Sequence, residues 1–148
     1  KYHWYRSREE KETMIKNSDP NMYEKRKKHY EHILKLYSYW KQNDKDSIDA
    51  ISCYYVGRLI QCIQELTDNS KIENKDKKER IKKILNDEQT IQALKNAKSL
   101  SLKFKILTFS MKLKSISLCM MQSFCISWVR KKFPSIFIKL KEKEVHGA

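Results

Sequence analysis

Histidine and cysteine are the side chains best able to hold a metal or act as a nucleophile near neutral pH. This chain carries four of each. His29 and His32 stand three positions apart, so on a helix they share a face and could reach one cation. A catalytic zinc asks for a third protein ligand. Glu24 and Glu31 lie nearby, but the intervening run Lys25-Arg26-Lys27-Lys28 would repel a divalent ion. The pair therefore reads as two solvated or half-buried histidines. Cys53 and Cys62 are nine apart and Cys119 and Cys125 six apart, which matches neither C-x-x-C nor a paired zinc frame. Each sits among apolar neighbours, so all four are expected as small buried hydrophobes in a reducing compartment. The carboxylates cluster as Glu9-Glu10, Asp44 with Asp46, and Asp87-Glu88, a pattern of helix caps and solvated faces. No catalytic residue, metal site or cofactor site is assigned within the chain.

Charge is the stronger signal. Of 148 residues, 32 are Lys or Arg and 18 Asp or Glu, a formal net charge of +14. No Asp or Glu occurs between Gln89 and Lys141, while lysines and arginines continue throughout. Inside that region Ser115 to Val129 is uncharged and contains Ile116, Leu118, Met120, Met121, Phe124, Ile126 and Trp128. At fifteen residues it falls short of the ~20 that span a bilayer as a helix. A core helix or an interfacial helix is expected instead. Lys112, Lys114, Arg130, Lys131 and Lys132 flank it, and Trp128 and Phe133 supply aromatic rings beside the cations. That mix suits an anionic membrane surface. Nucleic acid is the second partner considered, since Tyr and Trp residues among lysines can stack on bases. No helix-turn-helix or RNA-recognition signature accompanies them. A third use is a protein contact surface built on Met120, Met121 and Phe124.

The elements that must position these residues read as all-α, four to five helices in a small bundle with amphipathic C-terminal helices. Only two glycines (Gly57, Gly147) and two prolines (Pro20, Pro134) occur, too few for turn-rich β or α/β folds or for a Gly-rich phosphate loop. Asp19-Pro20 marks a helix start, followed at helical spacing by Tyr23, Tyr30, Ile33, Leu34, Tyr37 and Trp40. Asp46 or Ser47 caps a second helix whose apolar face runs Ile48, Ile51, Tyr55, Leu59, Cys62, Ile63 and Leu66. Gly57 within it is expected to allow a close helix contact. Ile81, Ile84 and Leu85 anchor a lysine-rich segment, and Asn86-Asp87 begins a short helix with Ile91 and Leu94. The division expected is an extended lead-in over 1–18, a helical bundle over 19–98 and a basic amphipathic tail over 99–148. The chain opens on Lys1 with no apolar leader after it, and reads as a fragment or internal domain.

The opening Tyr2-His3-Trp4-Tyr5-Arg6-Ser7-Arg8, followed by Thr13-Met14, resembles the end of the catalytic domain in bacterial family 2 glycosyltransferases. The phrase Ile81 to Glu88 is similar to one that recurs in the lysine-rich helical tails of those enzymes. Glu9-Glu10-Lys11-Glu12 stands where a Gly-Ser pair is common in the family. The resemblance implies a C-terminal accessory region whose parent moves a sugar from a nucleotide-sugar to a surface polysaccharide or lipid-linked acceptor. It implies that Arg6 and Arg8 lie near donor phosphate or acceptor. It further implies that the nucleotide-sugar and a divalent metal belong to a preceding catalytic domain, this chain's partner. The implied location is cytoplasmic, peripheral to the inner face of the membrane.

Overall fold

The computed structural model describes residues 19, 21–41, 44–98 and 102–133. They form six helices and no strand: α1 (Met22–Tyr39), α2 (Lys45–Asp68), α3 (Asn74–Asn86), α4 (Glu88–Asn96), α5 (Leu102–Lys112) and α6 (Ile116–Lys132). The all-α expectation holds, with a slightly higher helix count. The expected lead-in over 1–18 lies outside the described residues.

Helix α2 is the centre. Ile51, Ser52, Tyr55, Val56, Leu59, Cys62, Ile63 and Thr67 are all buried along it, and α1, α3, α4 and α6 pack around it. Tyr30 of α1 lies flat on Tyr55, with ring centroids 4.1 Å apart and an interplanar angle of 2°. Ile81, Ile84 and Leu85 of α3 and Ala93 and Leu94 of α4 complete the near side of the core. The α2 cap is Asp44, whose carboxylate accepts from the Ser47 N–H at 3.0 Å, two positions before the start expected at Asp46. At the other end Lys77 of α3 is buried and donates to the Thr67 carbonyl at 2.9 Å. A cation there meets both an unsatisfied carbonyl and the negative end of the helix dipole. Asp19 stands two positions ahead of the cap it was expected to be: its carboxylate accepts from Asn21 N–H at 2.9 Å, while Asn21 holds the cap position.

The extra helix comes from a break that no glycine marks. Lys114 takes a left-handed backbone (φ 52), and Ser115 N–H donates back to the Ser110 carbonyl at 3.2 Å. That six-residue return closes α5 with the hydrogen bonds of a Schellman-type cap. Lys41 ends α1 with a similar φ of 56. Lysine at such positions costs about 1 kcal/mol relative to glycine, so the stop is imposed by packing of the next helix.

One expectation fails for packing reasons. Gly57 makes no close helix contact: it is exposed, and a Cβ there would meet no heavy atom within 4 Å. Three of the four members of the run Lys25–Lys28 are tied to the protein's own carbonyls and carboxylates. Lys25 pairs with Asp19, and Arg26 reaches Glu65 at 3.2 Å and the Arg58 carbonyl at 2.7 Å. Lys27 pairs with Asp87 at 2.5 Å, leaving Lys28 exposed.

Asp87 joins three elements. It ends α3, caps α4 by accepting from Gln89 N–H at 2.9 Å, and holds α1 through Lys27. Burial pushes its carboxyl up, but Lys27 and the Gln89 amide outweigh that and hold it below the usual carboxylate value. A depressed carboxyl stabilises the fold above its unfolded pKa, and that contribution disappears as pH falls through the folded value. Asp87→Asn should therefore cost about 1 kcal/mol at pH 7. In urea titrations at several pH values, the gap between wild type and variant should close below pH ~4. A gap independent of pH would remove the ion pair as its cause. Gly57→Ala should do the reverse and add about 0.5–1 kcal/mol, because alanine fits the helix and restricts the unfolded chain. A lower urea midpoint for that variant would contradict the open surroundings of Gly57.

Candidate functional site

Helix α6 has its amphipathicity inverted. The residues it buries are small: Cys119, Ser123 and Ser127, spaced four apart on one face. Cys119 and Ser123 share a crevice with Ile60, Ile63 and Gln64 of α2. Ser127 donates its hydroxyl to the Asp68 carboxylate at 2.7 Å, tying the ends of the two helices together. Small side chains let two helix backbones approach closely, and the Ser123 hydroxyl is satisfied locally by the Cys119 carbonyl at 2.9 Å. Burial raises the Cys119 thiol above its ordinary value, opposed in part by the nearby Ser110 hydroxyl. Helix α5 leans on the flank of α6 through polar contacts. Ser110 donates to Gln122 Oε1 at 2.7 Å, and Gln122 Nε2 donates to the Ile106 carbonyl at 3.1 Å.

With small residues turned inward, the large ones are left outside. Met121, Phe124 and Trp128 of α6 are each more than half exposed, at 55%, 54% and 54%. Leu102, Ile106 and Phe109 of α5, and Leu113 just beyond its end, recur at helical spacing and are likewise exposed. Scattered exposed leucines are ordinary; here the exposed large apolar side chains follow one face of each of two adjacent helices.

Cations stand at both ends of that surface. Lys112 and Lys114 are exposed at the α5–α6 turn, and Arg130, Lys131 and Lys132 are exposed in the last turn of α6. The 17 residues of α6 separate the two groups by about 25 Å. Lys132 Nζ lies over the Trp128 ring at 5.4 Å, and Trp128 meets Phe133 edge-on at 5.8 Å. Among the described residues, Lys112, Lys114, Lys131 and Lys132 pair with no carboxylate; three of the four ion pairs found join α1 to α2, α3 or the α3–α4 junction, and the fourth joins Lys25 of α1 to its lead residue Asp19. No helix among the described residues is long and apolar enough to cross a membrane.

The residues expected at a membrane surface (Lys112, Lys114, Trp128, Arg130, Lys131, Lys132 and Phe133) thus fall on one helical hairpin, and all are exposed. Arg6 and Arg8 lie outside the described residues, as does the expected amphipathic piece beyond Phe133. Sequence reasoning missed the α5 contribution. Leu102, Ile106, Phe109 and Leu113 were legible by spacing, but nothing in a lone helix says which face its neighbours will cover. His29 and His32 are both exposed on α1, and no group of three metal-ligating side chains exists among the described residues. Cys62 and Cys119 are buried as expected and Cys53 is half-buried, but Cys125 is exposed, on the outward side of α6. No protein-family model matches this chain, and no curated protein or solved structure is significantly similar to it.

The inverted face has a direct stability consequence. Ser123→Leu should destabilise the fold by about 1–3 kcal/mol, because the branched side chain, two heavy atoms larger, cannot fit the α2–α6 seam. Phe124→Ser, one residue away, should stay within about 0.5 kcal/mol. Chemical denaturation of the two variants checks this, and the opposite ranking would show that α6 is turned the other way.

Proposed function

We propose that this chain docks on an anionic membrane surface through the α5–α6 hairpin, without crossing the bilayer. The observation that carries the reading is the outward apolar face of Phe109, Met121, Phe124 and Trp128, with lysines at both ends that pair with no carboxylate among the described residues and no acidic residue between Gln89 and Lys141. An interfacial helix buries such a face at the headgroup–acyl boundary and keeps its cations in the phosphate layer. Each Lys or Arg near an anionic leaflet contributes about 1 kcal/mol, so Lys112, Lys114, Lys131 and Lys132 supply a substantial, salt-sensitive attraction. Leu102, Ile106, Leu113 and Met121 are aliphatic, which suits acyl chains better than bases. The Lys25–Lys27 run, which nucleic acid would otherwise use, is engaged internally. Both features favour lipid over nucleic acid.

In the wider reading, the chain is the helical accessory region of a glycosyltransferase that transfers a sugar from a nucleotide-sugar to a surface polysaccharide or lipid-linked acceptor. Its support is the aromatic–arginine opening from Tyr2 to Arg8. A lipid-linked acceptor gives a catalytic domain a reason to be held at the membrane. Nucleotide-sugar and divalent metal would belong to that domain.

Liposome co-sedimentation tests the docking. The chain should bind vesicles containing anionic lipid, bind neutral vesicles weakly, and lose affinity as salt is raised. Replacing Lys112, Lys114, Arg130, Lys131 and Lys132 together with Gln should weaken binding while circular dichroism stays helical. Trp128 fluorescence should shift to the blue on binding. Equal partitioning to neutral and anionic vesicles, or to neither, overturns the electrostatic claim.

A further inference from the structure

The outer face of α1 is separate from the hairpin, and its chemistry does not depend on membrane docking. The side-chain ties of α1 run to α2, α3 and the α3–α4 junction, and one stripe of the helix takes no part in them. His29, His32, Leu36, Tyr39 and Trp40 recur along that stripe at spacings of three and four residues. Both histidines are exposed, Tyr39 is 82% exposed and Trp40 58%. Tyr37 braces Trp40, its ring 6.3 Å away and tilted by 53°. From His29 to Trp40 the stripe is about 16 Å long. The hairpin turns out mainly aliphatic side chains and phenyl rings, whereas this face turns out flat rings that also hydrogen-bond.

The surrounding charge is nearly balanced. Lys28 and Lys35 stand four residues before His32 and Tyr39, so they border the stripe along one edge, and Lys41 follows at its end. All three are exposed, and none pairs with a carboxylate among the described residues. Lys25, at the start of the face, is held by Asp19. The other charges nearby are Glu31, beyond Lys35, and Asp44, Lys45 and Asp46 just past the helix. Asp44 is engaged as the α2 cap.

We propose that this stripe binds single-stranded nucleic acid, its bases stacking on the exposed rings of His32, Tyr39 and Trp40 and its phosphates meeting Lys28, Lys35 and Lys41. Histidine, tyrosine and tryptophan are rings on which unpaired bases are held. Every base has a π face, so such a platform is tolerant of sequence. A duplex keeps its base faces against each other and gains only the cations. Lipid suits this face less well than the hairpin, because Leu36 is the one aliphatic side chain in the stripe and it is half-buried. A neutral sugar can stack on the rings but draws nothing from the lysines.

The test uses the full chain in lipid-free buffer, so its result is read apart from membrane docking. Fluorescence anisotropy follows a labelled oligothymidylate, an abasic deoxyribose-phosphate strand of the same length and charge, and a neutral maltooligosaccharide. The oligothymidylate should bind about tenfold or more tightly than the abasic strand, and the sugar more weakly than either. Tyr39→Ala and Trp40→Ala change no charge, yet each should weaken oligothymidylate binding roughly tenfold and leave the abasic strand unaffected. Tryptophan emission should be quenched by the oligothymidylate, and Trp40→Phe should remove that quench. Replacing the five hairpin cations with Gln should weaken both strands alike, since those residues act only through charge. The proposal is overturned if the abasic strand binds as tightly as the oligothymidylate, if both ring variants bind like wild type, or if the sugar binds as well as the oligothymidylate. Circular dichroism checks that the variants fold; if one does not, the comparison of the two strands on the wild-type chain still decides.

Discussion

Covering α2 is the constraint on which the rest of the structure depends. It is the one long helix with a broad apolar face, and Val56 and Leu59 at its middle are completely buried. Tyr30 stacks on it from α1, α3 and α4 close it with Ile81, Ile84, Leu85, Ala93 and Leu94, and one side remains. Helix α6 fills that side, and it does so with Cys119, Ser123 and Ser127. Close backbone approach replaces side-chain bulk. The large residues of α6 are then forced outward, since a helix that meets its neighbour along one small-residue stripe has no second partner for its opposite face. The exposed surface on the hairpin follows from how α2 is sealed.

Charge is sorted along the same line. Helices α1 to α4 contain acids and bases that meet in pairs, so Arg26–Glu65, Lys27–Asp87 and Lys83–Glu24 act as cross-ties between helices. Surface pairs of this kind contribute modestly in water, but Asp87 also caps α4, which couples the ion pair to helix formation. Helices α5 and α6 contain no acid with which to make such ties. Their contacts to each other run through neutral hydrogen bonds of Ser110 and Gln122.

The helical class, the face of α2 and the caps at Asp44 and Asp87 were close to legible because each rests on local spacing or a local hydrogen bond. The break at Lys114 was not, since the left-handed residue there is lysine and carries no glycine signal. Gly57 misled in the other direction: a glycine inside a helix suggests close contact, yet the helix simply tolerates it on an exposed face.

By itself, the sequence determined that the chain is all-helical, that its last third is cationic without acids, and that Ser115 to Val129 is too short to span a bilayer. These are properties of composition and local periodicity, which act within a few turns of chain. Tertiary structure alone decided that α6 turns its serines and cysteine inward and its Met121, Phe124 and Trp128 outward. It also decided that Lys25–Lys27 are internal ties while Lys112 and Lys131 are not. The physical reason is that α6 is apolar on most sides, so its own sequence favours no orientation strongly. The choice falls to the shape of the gap beside α2, which admits small side chains and rejects large ones.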